Sequence, residues 1–191
     1  MARHRPSPRL PKASDSDGFG NLARFGRVGF VGSYLWRLRQ KVGSDLVLMP
    51  GAMVVLRDGE ARVLLTRRVD DGTWCLPAGG AEEGAGFAET AAAELREETG
   101  AVVPAGELRA FGCLSRPELH MIEYANGDVT HCFAMCFLAE RWSGELRADG
   151  EETDELGFFA LDSLPEPLHP PSATGLAMFS EYLRSGEFQA S

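Results

Sequence analysis

No stretch of about eighteen consecutive apolar residues occurs in this sequence, so no membrane-spanning helix is expected. The opening segment, MARHRPSPRLPKASDSDGFG, lacks the apolar core of a secretory signal, and a cytoplasmic location is the expectation. Cysteine is scarce, with four in 191 residues and no CxxC pair. Cys132 and Cys136 share one face if their segment is a strand, a weak metal pattern. All four cysteines sit among apolar neighbours, however, and buried reduced thiols are expected. Large apolar groups are few in residues 1–20, which predicts a disordered basic tail there. Positive charge is sparse beyond residue 42. Residues 1–42 hold nine Lys/Arg and two Asp, net +7, whereas the remaining 149 hold ten Lys/Arg and 26 Asp/Glu, net −16. An acidic body lacks the footprint that a phosphodiester backbone requires, so nucleic acid is excluded as the main partner.

What is present suits one domain with an N-terminal extension: 44% of residues are hydrophobic, ample for a core. In the extension, residues 21–45, Leu35, Leu38 and Val42 share one helical face, Ser33 can cap its start and Gly43 can end it. The domain proper spans 46–191. LVLMPGAMVVL (46–56) is an apolar run broken by Pro50 and Gly51. With RDGE as a turn and ARVLLTRR (61–68) returning, it reads as a hairpin. WCLP (74–77) is short and extended, and an alanine-rich helix follows from about Phe87 to Thr99, stopped by Gly100. ELRAFGCLS (107–115) reads as a strand, and residues 121–140 as a hairpin about Asn126-Gly127-Asp128. ELGFFALDSLP (155–165) reads as a strand, and residues 172–186 as a helix with a glycine stop. This order predicts an α/β fold, a mixed sheet covered by helices on both faces.

The alanine-rich helix carries Glu94, Glu97 and Glu98 at i, i+3 and i+4, which places them on one face. Three carboxylates so close repel, and a hard divalent cation such as Mg2+ or Mn2+ relieves the repulsion. A solvated acidic face is the competing explanation. The preceding GGAEEGAG loop favours the metal, because it offers backbone groups beside the helix start where phosphate is received.

The stretch from Gly79 to Ala101 resembles the signature of the Nudix hydrolases, G-x5-E-x7-R-E-U-x-E-E-x-G-U, with U a bulky aliphatic. Gly79 matches its first glycine, and Glu94-Leu95-Arg96-Glu97-Glu98-Thr99-Gly100 matches E-U-x-E-E-x-G. The resemblance covers about residues 46–165. It implies a Nudix-type α/β/α sandwich, preceded here by an extension with one helix. It departs at three places: Ala85 replaces the glutamate, Ala93 the arginine and Ala101 the closing aliphatic. The first two are a supporting charge pair, and losing both leaves no orphan charge.

By resemblance the chain is a pyrophosphohydrolase acting on a nucleoside diphosphate linked to another moiety, with water attacking phosphorus. Glu94, Glu97 and Glu98 hold Mg2+ or Mn2+ with help from the Gly79 carbonyl, and Glu97 completes the cluster or acts as base. Loop glutamates are the other candidate bases: Glu151, Glu152 and Glu155 first, then Glu118 and Glu123. Arg67 or Arg68 reads phosphate, but not both, because neighbours in a strand face opposite ways. Gly79 and Gly80 border the phosphates, and Trp74 either stacks on a base or packs in the core. Partners are a nucleotide-derived small molecule, with a capped RNA end the exception to the exclusion above, and a second copy in a homodimer. A second reading is a catalytically weak module that binds a nucleotide and regulates a partner.

Overall fold

The structure, a computed structural model of the chain, describes residues 24–25, 32–124 and 126–191. The tail expected over 1–20 lies outside these residues. Ten strands and four α-helices follow one another: β1 (Arg24–Phe25), α1 (Tyr34–Val42), β2 (Val47–Leu56), β3 (Val63–Arg68), β4 (Trp74–Cys75), β5 (Ala78–Gly80), α2 (Phe87–Thr99), β6 (Arg109–Leu114), α3 (Pro117–His120), β7 (Met121–Tyr124), β8 (Val129–Ala139), β9 (Thr153–Phe159), α4 (Pro170–Ser185) and β10 (Gln189–Ala190). The larger sheet runs β1-β7-β8-β2-β5, with β6 also on β8 and β10 on β6, and the smaller runs β4-β3-β9.

β2 is the centre of the molecule. It lies parallel to β8 along its whole length and antiparallel to β5. Side chains alternate across a strand, so β2 serves two cores. Ala52, Val54 and Leu56 pack with Ala91 and Leu95 of α2, while Met53 and Val55 pack with Leu176 and Phe179 of α4. The two helices therefore cover opposite faces of a mixed sheet. Pro50 does not break the strand. Its carbonyl, which points to the same side as its missing N–H, accepts from Ala81 N beyond the end of β5, so the β8 ladder loses nothing.

The expected hairpin of β2 with β3 does not form. The two strands join different sheets, and β3 pairs instead with β4 and β9, leaving only an isolated bridge from Arg57 to Val63. A run that is apolar on both faces, as β2 is, belongs in the middle of a sheet between two helix layers, and β8 supplies the longer partner. The other local expectations hold. α2 ends at Gly100 in the left-handed conformation (φ 73°) and α4 at Gly186 (φ 73°). β7 and β8 form the hairpin about Gly127, and β9 begins two residues earlier than expected.

α1 is capped as its sequence predicts: the Ser33 hydroxyl accepts from Trp36 N at 3.2 Å. Arg39, a charged residue beside the apolar face of the helix, is buried. It donates to the carbonyls of Gly43, Asp45 and Val129 and to Thr130 Oγ1, which ties α1 to the start of β8. The cysteines are all free, and burial pushes the Cys75, Cys132 and Cys136 thiols up to about 12.

His120 is 1% exposed, and burial pushes its imidazole down to about 4. A base whose folded pKa is depressed stabilises the fold above its unfolded pKa of about 6.5 and loses that contribution as pH falls toward the folded value. Relative to His120→Gln, the wild type is expected to lose of order 1 kcal/mol in urea unfolding between about pH 7 and pH 5, a difference that isolates His120 from the other shifted groups, His169 and Glu94 among them.

Candidate active site

A cleft of about 1160 Å³ opens between the helix layer and the edge of the large sheet. Its floor is the backbone of β5 set against α2. The N–H of Ala78 donates to Glu98 Oε1 at 3.3 Å, and any side chain on Gly79 would land on the Glu94 carboxylate. Glycine is thus needed at residue 79 for close approach. Leu95, about 100° around α2 from Glu94, is fully buried and fixes the rotation of the helix. That rotation aims Glu94 and Glu98 into the cleft.

Glu98 is 6% exposed, and its second oxygen, Oε2, is buried without a hydrogen-bond partner. Burial, then the neighbouring Glu94, raises it well above the usual carboxylate range. Burial, then Glu97 and Glu152, pushes Glu94 up to about 7. A buried carboxylate oxygen without a donor is costly and is relieved by a cation. The two carboxylates and the glycine backbone between them therefore fit a divalent metal. Glu97 borders the same cleft but is exposed, beside Arg96, 3.6 Å away. Among the described residues no three Asp, Glu, His or Cys side chains are gathered to hold one ion, so the arrangement is a pair with backbone help.

The rim of the cleft is the loop before β9. The Asp149 carboxylate accepts from the backbone N–H groups of Glu151, Glu152 and Thr153 at 2.8, 2.9 and 2.9 Å. Thr153 Oγ1 donates to the carbonyl of Glu98. The loop is thereby pinned to the helix that carries the acids, and Glu151 and Glu152 line the cleft. Partial burial, then Asp149, raises Glu152 above its ordinary value. Sequence reasoning missed Asp149, although the Asp-Gly pair at 149–150 is a turn signal that marks it.

Four expected site residues are separated in two pairs. Arg68 lines the cleft, hydrogen-bonded to Asp70, and Gly79 and Gly80 line it too. Arg67 does not reach it; it points to the other face of β3, where it binds Asp154 and Glu155. Glu155 is its register partner on β9 and so faces away as well. Glu152, by contrast, stays at the rim. Trp74 packs edge-on against Phe159, 5.0 Å between ring centres, at the border of the core. Of the other candidate bases, neither Glu118 nor Glu123 borders the cleft.

Glu82 and Glu83, two further acids of the glycine loop, are turned toward α1. Both oxygens of Glu82 accept from Tyr34 N, at 2.8 and 3.0 Å, and Glu83 pairs with Arg37 at 3.0 Å. Glu82 also borders the cleft, whereas Glu83 does not.

The model of the NUDIX domain matches residues 47–179. A putative ADP-ribose pyrophosphatase, YjhB of Bacillus subtilis (strain 168), is 30% identical over 127 residues, 65% of this chain but 57% of that protein. A putative 8-oxo-dGTP diphosphatase of the same organism is 30% identical over 115 residues, 60% of this chain and 68% of that protein. Among solved structures, the MutT NUDIX hydrolase of Burkholderia pseudomallei superimposes with a TM-score of 0.59 at 27% identity, covering 69% of this chain and 98% of that one. No helix among the described residues is long and apolar enough to cross a membrane. With the NUDIX domain matched over residues 47–179, the chain belongs to the Nudix hydrolase family.

Proposed function

We propose that this chain is a divalent-metal-dependent pyrophosphohydrolase that cleaves a nucleoside diphosphate joined to another moiety. One observation carries the proposal: the buried, unpartnered oxygen of Glu98 beside Glu94 on the floor of the cleft. Glu94, Glu98 and the Gly79 carbonyl would hold Mg2+ or Mn2+. When bound, such an ion neutralises phosphate charge and lowers the pKa of water. Arg68 orients the diphosphate from the cleft wall, its guanidinium reading phosphate oxygens bidentately. Glu152, its affinity for a proton raised by its surroundings, accepts the proton of the attacking water. The Asp149 cap and the Thr153 bond hold it in reach. The relatives named for ADP-ribose and 8-oxo-dGTP make both compounds the first substrates to test.

The test is turnover on a panel of nucleoside diphosphate derivatives with Mg2+ or Mn2+, read as phosphate after phosphatase treatment. Each separated pair supplies an internal control. Arg68→Ala and Glu152→Gln are expected to lower kcat/KM by roughly 10- to 1000-fold. Arg67→Ala and Glu155→Gln are expected to stay within about twofold, because these residues meet each other on the far face. Equal losses in both members of each pair refute the assignment. Ala85 and Ala93, where the family signature has a charge pair, favour the second reading, a nucleotide-binding module of low turnover. Binding without turnover across the panel would select that reading.

A further inference from the structure

The family match begins at residue 47, yet α1, ahead of it, borders the same cleft through Ser33, Tyr34 and Leu35. We infer that α1 is the nucleoside-side wall of the cleft, with Tyr34 contacting the base of the substrate, and that Glu82 holds this wall in place. The inference rests on the proposed function and names the part of the substrate that α1 receives.

Three observations carry it. First, α1 is fixed rather than laid loosely on the surface. Arg39 is 7% exposed and satisfies three backbone carbonyls and a hydroxyl, two of these acceptors being on β8. Second, the first turn of α1 is bonded to the loop that leaves the glycine strand. Glu82 takes the Tyr34 N–H with both oxygens, and Arg37 reaches Glu83. A carboxylate at a helix start satisfies an orphan donor and complements the helix dipole. The loop leaving the cleft-floor strand is therefore tied directly to α1. Third, the cleft changes character away from the acids. Tyr34 is 36% exposed, Phe133 37% and Leu48 61%, and all three border the cleft. Exposed aromatic and aliphatic groups beside a charged floor suit a ligand with a flat apolar end and a phosphate end. A nucleoside diphosphate has that form, and free pyrophosphate lacks the apolar end.

The experiment compares calorimetric binding of ADP and of inorganic pyrophosphate, each with Mg2+, to the full chain. Tyr34→Ala is expected to weaken ADP roughly tenfold, the usual size of a lost base–aromatic contact, and leave pyrophosphate within about twofold. Tyr34→Phe is expected to keep ADP affinity. Glu82→Ala, which leaves Tyr34 in place but releases the helix start, is expected to give the same ADP-selective loss. Equal weakening of ADP and pyrophosphate by Tyr34→Ala, or no weakening of either, overturns the inference. So does a loss of pyrophosphate alone in Glu82→Ala, which would assign Glu82 to the phosphate end. Wild-type protein that binds neither probe and turns over nothing overturns the proposed function itself, a different outcome from any of these.

Discussion

Glu98→Gln is expected to destroy turnover while making the metal-free protein more stable. In the folded chain the Glu98 carboxylate is 6% exposed, one oxygen has a single donor in Ala78 N, and the other has none. Glu94 stands beside it with the same sign of charge. Without a cation this is a cost to folding, because a buried charge is left uncompensated or a proton must be taken up. Glutamine keeps the shape and the acceptor for Ala78 N but removes the charge. A gain of about 1 kcal/mol is expected, or about 2–4 °C in Tm for a chain of this size. Saturating Mn2+ should then separate the two proteins. The wild type gains stability by mass action, about 2.7 kcal/mol at one hundred times Kd, and the variant gains little. Turnover should fall by at least about 100-fold, since electrostatic support worth several kcal/mol is lost. Scanning calorimetry with and without Mn2+, beside the phosphate assay, checks both parts. Retention of the Mn2+ shift and of activity within about threefold would remove Glu98 from the site.

The second large effect concerns two glycines that differ in what a methyl group would strike. At Gly79 an added Cβ meets the end of the Glu94 side chain, a flexible group that can swing aside. Gly79→Ala is therefore expected to fold with a loss of about 1 kcal/mol or less, while its displaced carboxylate lowers kcat/KM by about 100-fold, the usual result of a shift near 1 Å in a site. At Gly51 an added Cβ falls 2.5 Å from the Gly79 carbonyl oxygen, which is backbone and cannot step away. Gly51→Ala is expected to cost about 1–3 kcal/mol in urea unfolding and activity as well. Gly106→Ala, where nothing lies within 4 Å of the added atom, is the neutral control. Equal behaviour of the Gly79 and Gly51 variants in both measurements would refute the close-approach argument.

Much of the fold was legible because its signals are local. The start and stop of α1 and α2, the glycines that close α2 and α4, and the Asn-Gly-Asp turn all act within a few residues of themselves. The spacing of Glu94, Glu97 and Glu98 likewise fixed a common helical sector without reference to anything else. Yet the sector is wide. Burial of Leu95 and the nearness of β5 buried Glu98, half-buried Glu94 and left Glu97 exposed at the margin of the cleft. The β2–β3 hairpin failed for a related reason. A strand apolar on both faces gives no clue to its partner, and the partner β8 lies some eighty residues along the chain.

The choice within each pair of residues was settled in the same way. Alternation along β3 said that Arg67 and Arg68 face apart, but not which of them faces the cleft. The pairing of β3 with β9 put Arg67 opposite Glu155 and left Arg68 toward Asp70 and the cleft. Composition showed the loop acids, whereas only the folded chain showed Asp149 holding the loop and Glu82 and Glu83 committed to α1.

By itself, the sequence determined the three longer helices, the turn positions, the family signature and the identity of the acids, since each depends on neighbours within a turn or two of chain. Only the tertiary structure decided which acid is buried, which arginine meets the cleft, and that an element ahead of the family domain walls it. Those choices are made by contacts between segments far apart in the chain. Such contacts follow from which surfaces exclude water together, a property no local pattern encodes.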